Sequence, residues 1–187
     1  MKSIAIVAFF LAVFPAVATA DALAGKKKSE LCVLCHFARN DGDMKFIPVL
    51  EGQPREYFVA QIKAFQTKLR TNPVMEQNAA NLTAADAQDI ADYFAAQKPA
   101  RSPSLDASLV GAGVAKLREL RCGTCHLPNY SGQGEAARLA GQNPKYTAWT
   151  LHMIAFGNRR HPAEAASELK SLTNDDIDRI AHAFASM

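Results

Sequence analysis

The pentapeptide Cys-x-x-Cys-His occurs twice, as Cys32-Val33-Leu34-Cys35-His36 and as Cys122-Gly123-Thr124-Cys125-His126, and between them the two copies use all four cysteines of the chain. Two thiols three residues apart on one helical turn can each form a thioether to a haem vinyl group. The histidine that follows then lies under the iron as its proximal ligand. Two short disulfides or a thioredoxin-like redox pair would use the same cysteines, but neither needs a histidine after the second one, still less twice. The pattern points to two covalently attached haem c groups, bound through Cys32, Cys35 and His36 and through Cys122, Cys125 and His126.

The N-terminus bears on where such a chain works. Lys2 precedes an uncharged, mostly apolar run from Ser3 to Ala20 that ends in Ala18-Thr19-Ala20. A basic start, an apolar stretch and a small-x-small end mark residues 1–20 as a signal peptide. The run is just long enough to compete as a retained membrane anchor, although Pro15 and the Ala-x-Ala end favour cleavage before Asp21. Export to the periplasm suits covalent haem attachment, which in bacteria takes place outside the cytoplasm. Cleavage leaves 167 residues, with 20 basic against 18 acidic side chains. Four haem propionates would bring that charge slightly below zero, so nothing suggests nucleic-acid binding. The partners expected are redox proteins, donor and acceptor, with membrane complexes met only by transient docking of a monomer.

The text around the motifs repeats. Gly52-Gln53, Tyr57 and Arg70 correspond to Gly141-Gln142, Tyr146 and Arg159 at an offset of 89, whereas Leu82-Thr83, Asp86, Ile90-Ala91 and Phe94-Ala95 correspond to Leu172-Thr173, Asp176, Ile180-Ala181 and Phe184-Ala185 at an offset of 90. A single-residue insertion therefore lies between Arg159 and Leu172. Each half reads as helical. A helix over about 22–34, and again over 109–124, leads into the haem motif, and a polar loop follows. Phe58, Ile62, Phe65 and Leu69 recur at helical spacing along a second helix. Thr83 with Asp86, and Thr173 with Asp176, cap a last helix with an apolar stripe. The prolines of Lys98-Pro99-Ala100-Arg101-Ser102-Pro103-Ser104 read as a linker. The expected division is a first domain over 21–98, a linker over 99–108 and a second domain over 109–187. Domains this small have marginal cores, and a haem face supplies what the side chains lack.

With these segments in view the chain resembles the dihaem cytochromes of the c4 type, built as an internal duplication of two class I cytochrome c domains. The carriers are the two haem motifs, Pro48-Val49-Leu50-Glu51-Gly52-Gln53, Arg138-Leu139-Ala140-Gly141-Gln142, Asn72-Pro73-Val74-Met75 and the Leu-Thr-x-x-Asp helix starts. The resemblance implies an all-α fold of two domains related by an approximate two-fold axis, with haem edges near the interface. It also implies that Met75 is the distal ligand of the first iron and that the Pro48 carbonyl orients His36. Met75 reads as a loop residue, and Met44 is a weaker competitor.

The second half departs from this pattern. Glu164 or Ala165 stands where Met75 would repeat, His161-Pro162 stands opposite Asn72-Pro73, and Ala137 replaces Pro48. Three outcomes are open for the second iron. His161 could ligate it after a loop shift; the site could stay open or water-bound, with Glu164 or His161 nearby; or Met153 or His152 could reach it by another route. His161 could equally be an ordinary solvated loop histidine. The function expected is electron transport between a respiratory donor (a quinol-oxidising complex or a dehydrogenase) and a terminal oxidase or reductase, with no catalytic residues. The competing reading is a haem enzyme or sensor that uses an open second iron for peroxide or nitric oxide, with Arg159 and Arg160 as candidate cations. Lys26-Lys27-Lys28 is either a docking patch or a solvated helix face.

Overall fold

The computed structural model describes residues 22–36, 46–99 and 105–187. The apolar segment 1–20, Met44 and the centre of the linker lie outside these described residues. Among the described residues the first half forms α1 (Ala22–Lys28), α2 (Glu30–Cys35), α3 (Arg55–Gln66), α4 (Pro73–Ala79) and α5 (Ala84–Ala95). The second half forms α6 (Ala107–Glu119), α7 (Gly123–His126), α8 (Pro144–Ala155), α9 (Ala163–Leu169) and α10 (Asn174–Ala185). The protein is all-α.

The last helix of each half starts where the sequence places it. The Thr83 Oγ1 accepts from the Asp86 N–H at 3.1 Å while the Asp86 carboxylate accepts from the Thr83 N–H at 3.0 Å. Thr173 and Asp176 repeat the exchange at 3.1 and 3.2 Å. Such reciprocal caps satisfy amides that the first helical turn leaves without partners. The stripe then buries Ala87, Ile90, Ala91 and Phe94 on α5, and Ile177, Ile180, Ala181 and Phe184 on α10.

Against these stripes lie the first helices of each half, α1 on α5 and α6 on α10. Glycine makes both crossings possible. A Cβ on Gly25 would collide with the Asp89 carbonyl, and one on Gly113 with the Arg179 carbonyl. Ion pairs close the same edges: Lys28 reaches Asp86 at 2.7 Å and Asp89 at 2.6 Å, and Lys116 lies 3.8 Å from Asp176. Lys28 therefore serves helix packing, and the tri-lysine run presents only Lys26 and Lys27 freely to solvent. The helices α3 and α8 pack on α5 and α10, and carry α4 and α9 respectively. Each half has its own cluster of buried apolar side chains, centred on Phe94 and Ile90 in the first and on Leu117 and Phe184 in the second.

Four details differ from the sequence reading. The first helix breaks at Ser29, whose Oγ turns back to the Lys26 carbonyl at 2.8 Å. Helix α6 starts at Ala107, inside the expected linker, and gives way at Arg121, whose φ of 52° is left-handed. Helix α3 stops before Lys68, whose φ is 57°, so Leu69 is 54% exposed instead of continuing the stripe. Met75 lies in the first turn of α4, where Asn72 caps its N–H at 3.0 Å, rather than in a loop.

Candidate haem centres

Helix α2 carries Cys32 and Cys35 and ends at His36, whose ring is buried. The His36 Nδ1 lies 2.9 Å from the Pro48 carbonyl oxygen. A carbonyl can only accept, so Nδ1 carries the proton and Nε2 keeps the lone pair that a metal needs. In the second half Cys122 begins the turn of α7, and the His126 Nδ1 lies 2.7 Å from the Ala137 carbonyl. The change from Pro48 to Ala137 therefore costs nothing at this contact, because the acceptor is backbone. Burial pushes both imidazoles down from the ordinary histidine value, against a smaller upward pull from the accepting carbonyl. Both are held neutral, which is the ligating form.

No disulfide joins any two of the four cysteines. Burial pushes Cys32 up and Cys122 up to about 11. A thioredoxin-like pair calls for a depressed thiol, and the direction at Cys32 and Cys122 does not favour one. The set of two thiols and one oriented imidazole on a single turn does fit a covalently bound haem, and it occurs twice.

On the distal sides the halves differ. Met75 is half-buried and packs against the first apolar cluster from α4. Helix α9 matches α4 at an offset of 90, so Ala165 takes the register of Met75. His161 stands just before α9 with its ring centroid 6.4 Å from that of His126 and the planes 28° apart. His152 stacks on Phe156 at 6.3 Å and lines a surface groove with Trp149 and His182. His182 in turn accepts the Asp106 N–H at 2.9 Å. Only His161 among the later histidines is brought to His126.

These centres and this fold have counterparts among known proteins. No family model matches the chain. A cytochrome c4 of Pseudomonas aeruginosa is 32% identical over 88% of this chain and 87% of its own length. A protein of Thiomonas intermedia described as a thiosulfate dehydrogenase electron acceptor is 31% identical over 85% of this chain and 78% of its own. The crystal structure of reduced recombinant cytochrome c4 from Pseudomonas stutzeri superposes with a TM-score of 0.79 at 26% identity, covering 90% of this chain and all of that one. The chain belongs to the cytochrome c4 family. It is a dihaem c-type cytochrome, with two class I cytochrome c domains and two covalently attached haem c groups, and it transfers electrons between respiratory partners.

In this member of the cytochrome c4 family the two halves meet through residues the duplication repeats. Gln142 accepts the Val49 N–H at 2.8 Å and donates to the Val49 carbonyl at 3.0 Å. Gln53 does the same to Arg138, accepting its N–H at 3.0 Å and donating to its carbonyl at 2.9 Å. Gly52 and Gly141 aim these glutamines: both have left-handed φ values, 71° and 72°, that glycine adopts without strain. Their N–H groups donate to the Phe94 and Phe184 carbonyls, each at 2.8 Å. Deeper in, Arg70 donates to the Tyr146 hydroxyl at 2.9 Å and Arg159 to the Tyr57 hydroxyl at 3.1 Å. Arg159 also reaches Tyr146 and Thr150, each at 3.1 Å. Burial raises the Tyr146 phenol, but Arg159 and Arg70 outweigh it and bring the group down to about 8. The sequence reading paired Gly52, Gln53, Tyr57 and Arg70 with Gly141, Gln142, Tyr146 and Arg159 by repeat, but missed that the glutamines and arginines reach into the opposite half. Polar residues repeated in both halves at matching positions were the available signal.

Proposed function

We propose that the chain is a periplasmic one-electron relay. It would take electrons from a quinol-oxidising complex or a soluble dehydrogenase and pass them to an oxidase or reductase through short-lived complexes of a monomer. Cys32, Cys35, Cys122 and Cys125 are the thioether anchors, His36 and Met75 the axial ligands of the first iron, and His126 the proximal ligand of the second. The haems, when bound, supply the reversible iron couple; the polypeptide sets orientation, potential and spacing.

One observation carries this reading. Pro48, which orients His36, is followed by Val49, which Gln142 of the other half grips by both backbone groups. Ala137, which orients His126, is followed by Arg138, gripped in the same way by Gln53. The segments that seat both proximal ligands are thus bonded to one another's domains. A fixed relation between two irons suits passage of an electron within the molecule. It has no purpose in two independent carriers.

The likeness to a thiosulfate dehydrogenase electron acceptor favours a soluble dehydrogenase as donor. Among the described residues no helix is long and apolar enough to cross a membrane, and residues 1–20 are read as the cleaved signal. The enzymatic alternative calls for a free cation near the second iron. Of the two candidate cations, Arg159 is already engaged by Tyr57, Tyr146 and Thr150, and Arg160 is exposed to solvent, which speaks for the relay.

The test uses the exported, haem-loaded protein. Osmotic release should free a chain that begins at Asp21 and carries two haems by alkaline pyridine assay. Its fully reduced form should give up two electrons, one at a time, to an oxidase preparation. A chain without haem, or one whose reduced form turns over peroxide catalytically, would sink the relay.

A further inference from the structure

We propose that His161 is the distal axial ligand of the second iron, so that this haem is held between two imidazoles while the first is held between His36 and Met75. The inference deepens the reading above and rests on His126 as the proximal ligand.

Spacing is the first argument. An imidazole nitrogen bonds a first-row metal at about 2 Å and its ring centroid lies about 1.1 Å behind it, so two axial imidazoles on one ion hold their centroids about 6.2 Å apart. The rings of His126 and His161 are 6.4 Å apart. The observed separation matches that spacing to within about 0.2 Å.

The backbone explains how the histidine arrives there. Six residues separate α3 from α4 and seven separate α8 from α9, while the helices themselves match in length. The Arg70 and Arg159 pair fixes the register before this gap, and the α4 and α9 pair fixes it after. The inserted residue therefore falls within 160–162. It moves Pro162, not His161, into the helix-capping place of Asn72, and leaves His161 as extra loop in front of the iron face. Pro162 has φ −49° and ψ 137° and makes no side-chain cap. A residue before proline is confined to extended backbone, so the loop that carries His161 is stiffened at the position that matters.

The ring's surroundings argue against a solvated surface histidine. It is half-buried, and its Nδ1 is fully buried without a hydrogen-bond partner. A buried polar atom without a partner is unfavourable, and coordination through that nitrogen would relieve it. Two rivals fall away: Ala165, in the register of Met75, has no donor atom, and His152 stacks on Phe156.

The test is spectroscopic and uses the full-length, haem-loaded protein in its ferric form. Both haems should be low-spin, with one equivalent of the near-infrared thioether band and one low-spin paramagnetic signal of the bis-imidazole kind. His161→Ala should convert half of the low-spin signal to high spin and leave the thioether band untouched, and added imidazole should restore the lost half. That rescue shows that the variant is folded. His161→Met should instead raise the thioether band about twofold. An unchanged low-spin spectrum in His161→Ala, or a second thioether band in the parent protein, would overturn the assignment. Loss of haem from the parent, or a thioether band that survives Met75→Ala, would strike the ligand set beneath it, so the two failures can be told apart.

Discussion

With Met75 and His161 as the proposed distal ligands, one task is divided between two kinds of donor. A thioether is soft and neutral and favours the ferrous state, whereas an imidazole donates more strongly to ferric iron, so replacing Met by His lowers a haem's potential. Met75→His is expected to keep the first haem low-spin, abolish the thioether band and lower that haem's potential towards the second. Optical redox titration checks this, and a single unmoved step would mean that Met75 is not the ligand. Backbone geometry is as demanding at single residues. Gly52 and Gly141 hold φ values near 70°, and Gly52 also has Pro99 and Arg138 atoms within 3.3 Å of where a Cβ would stand. Gly141→Ala should cost about 1–2 kcal/mol from the left-handed backbone alone, measurable by denaturant unfolding of the haem-loaded protein. Gly52→Ala should add to that backbone cost the crowding against Pro99 and Arg138.

At the level of helices, the crossings of α1 on α5 and of α6 on α10 tolerate no side chain at their contact points. Gly25→Ala and Gly113→Ala should each destabilise by about 3 kcal/mol or more through overpacking, and the loss should show as a drop in Tm. The caps give a different signature. Lys28, then Thr83, hold the Asp86 carboxyl below its usual range, and Thr173, then Lys116, do so for Asp176. A carboxylate whose folded pKa is depressed adds stability above its unfolded value of about 3.9, and that stability is lost as the pH falls through the lower folded value. The double variant Asp86→Asn with Asp176→Asn should therefore flatten the fall of Tm below about pH 4 while lowering Tm at neutral pH. These caps were legible because Thr-x-x-Asp is a local exchange written in four consecutive residues, and the apolar stripes behind them were legible for the same reason. The carbonyl contacts that orient His36 and His126 were half legible: the Pro48 acceptor was expected, while Ala137 as its counterpart needed the structure. Gly25 and Gly113 were not, since a glycine in a helix announces weakness rather than the neighbour that requires it. Helix α4 was missed because its seven residues, with one buried side chain, carry no periodicity. The division of labour between Gln53 and Gln142 was hidden because it joins backbone groups 85 and 93 residues away.

Across the molecule, the proposed ligands make two unlike centres, joined through the glutamine bonds between the halves. With His161 as ligand, the second haem has the lower potential, so electrons run from the second domain to the first. Potentiometry should resolve two separate one-electron steps, which His161→Met draws together. The frame itself can be loosened. Gln53→Ala with Gln142→Ala strips partners from both backbone groups of Val49 and of Arg138, at about 1–3 kcal/mol for each side chain removed. Calorimetry is expected to show one thermal transition for the parent protein and two for this variant, and electron equilibration between the haems should slow.

Each glutamine recognises peptide groups of the opposite domain and ignores the side chain attached to them; Val49 faces one and Arg138 the other. Either half could therefore exchange residues around its own iron without any matching change across the boundary. Under the proposed ligands, one extra residue in the second half suffices to set the two metals apart, and the joint between them has no need to notice.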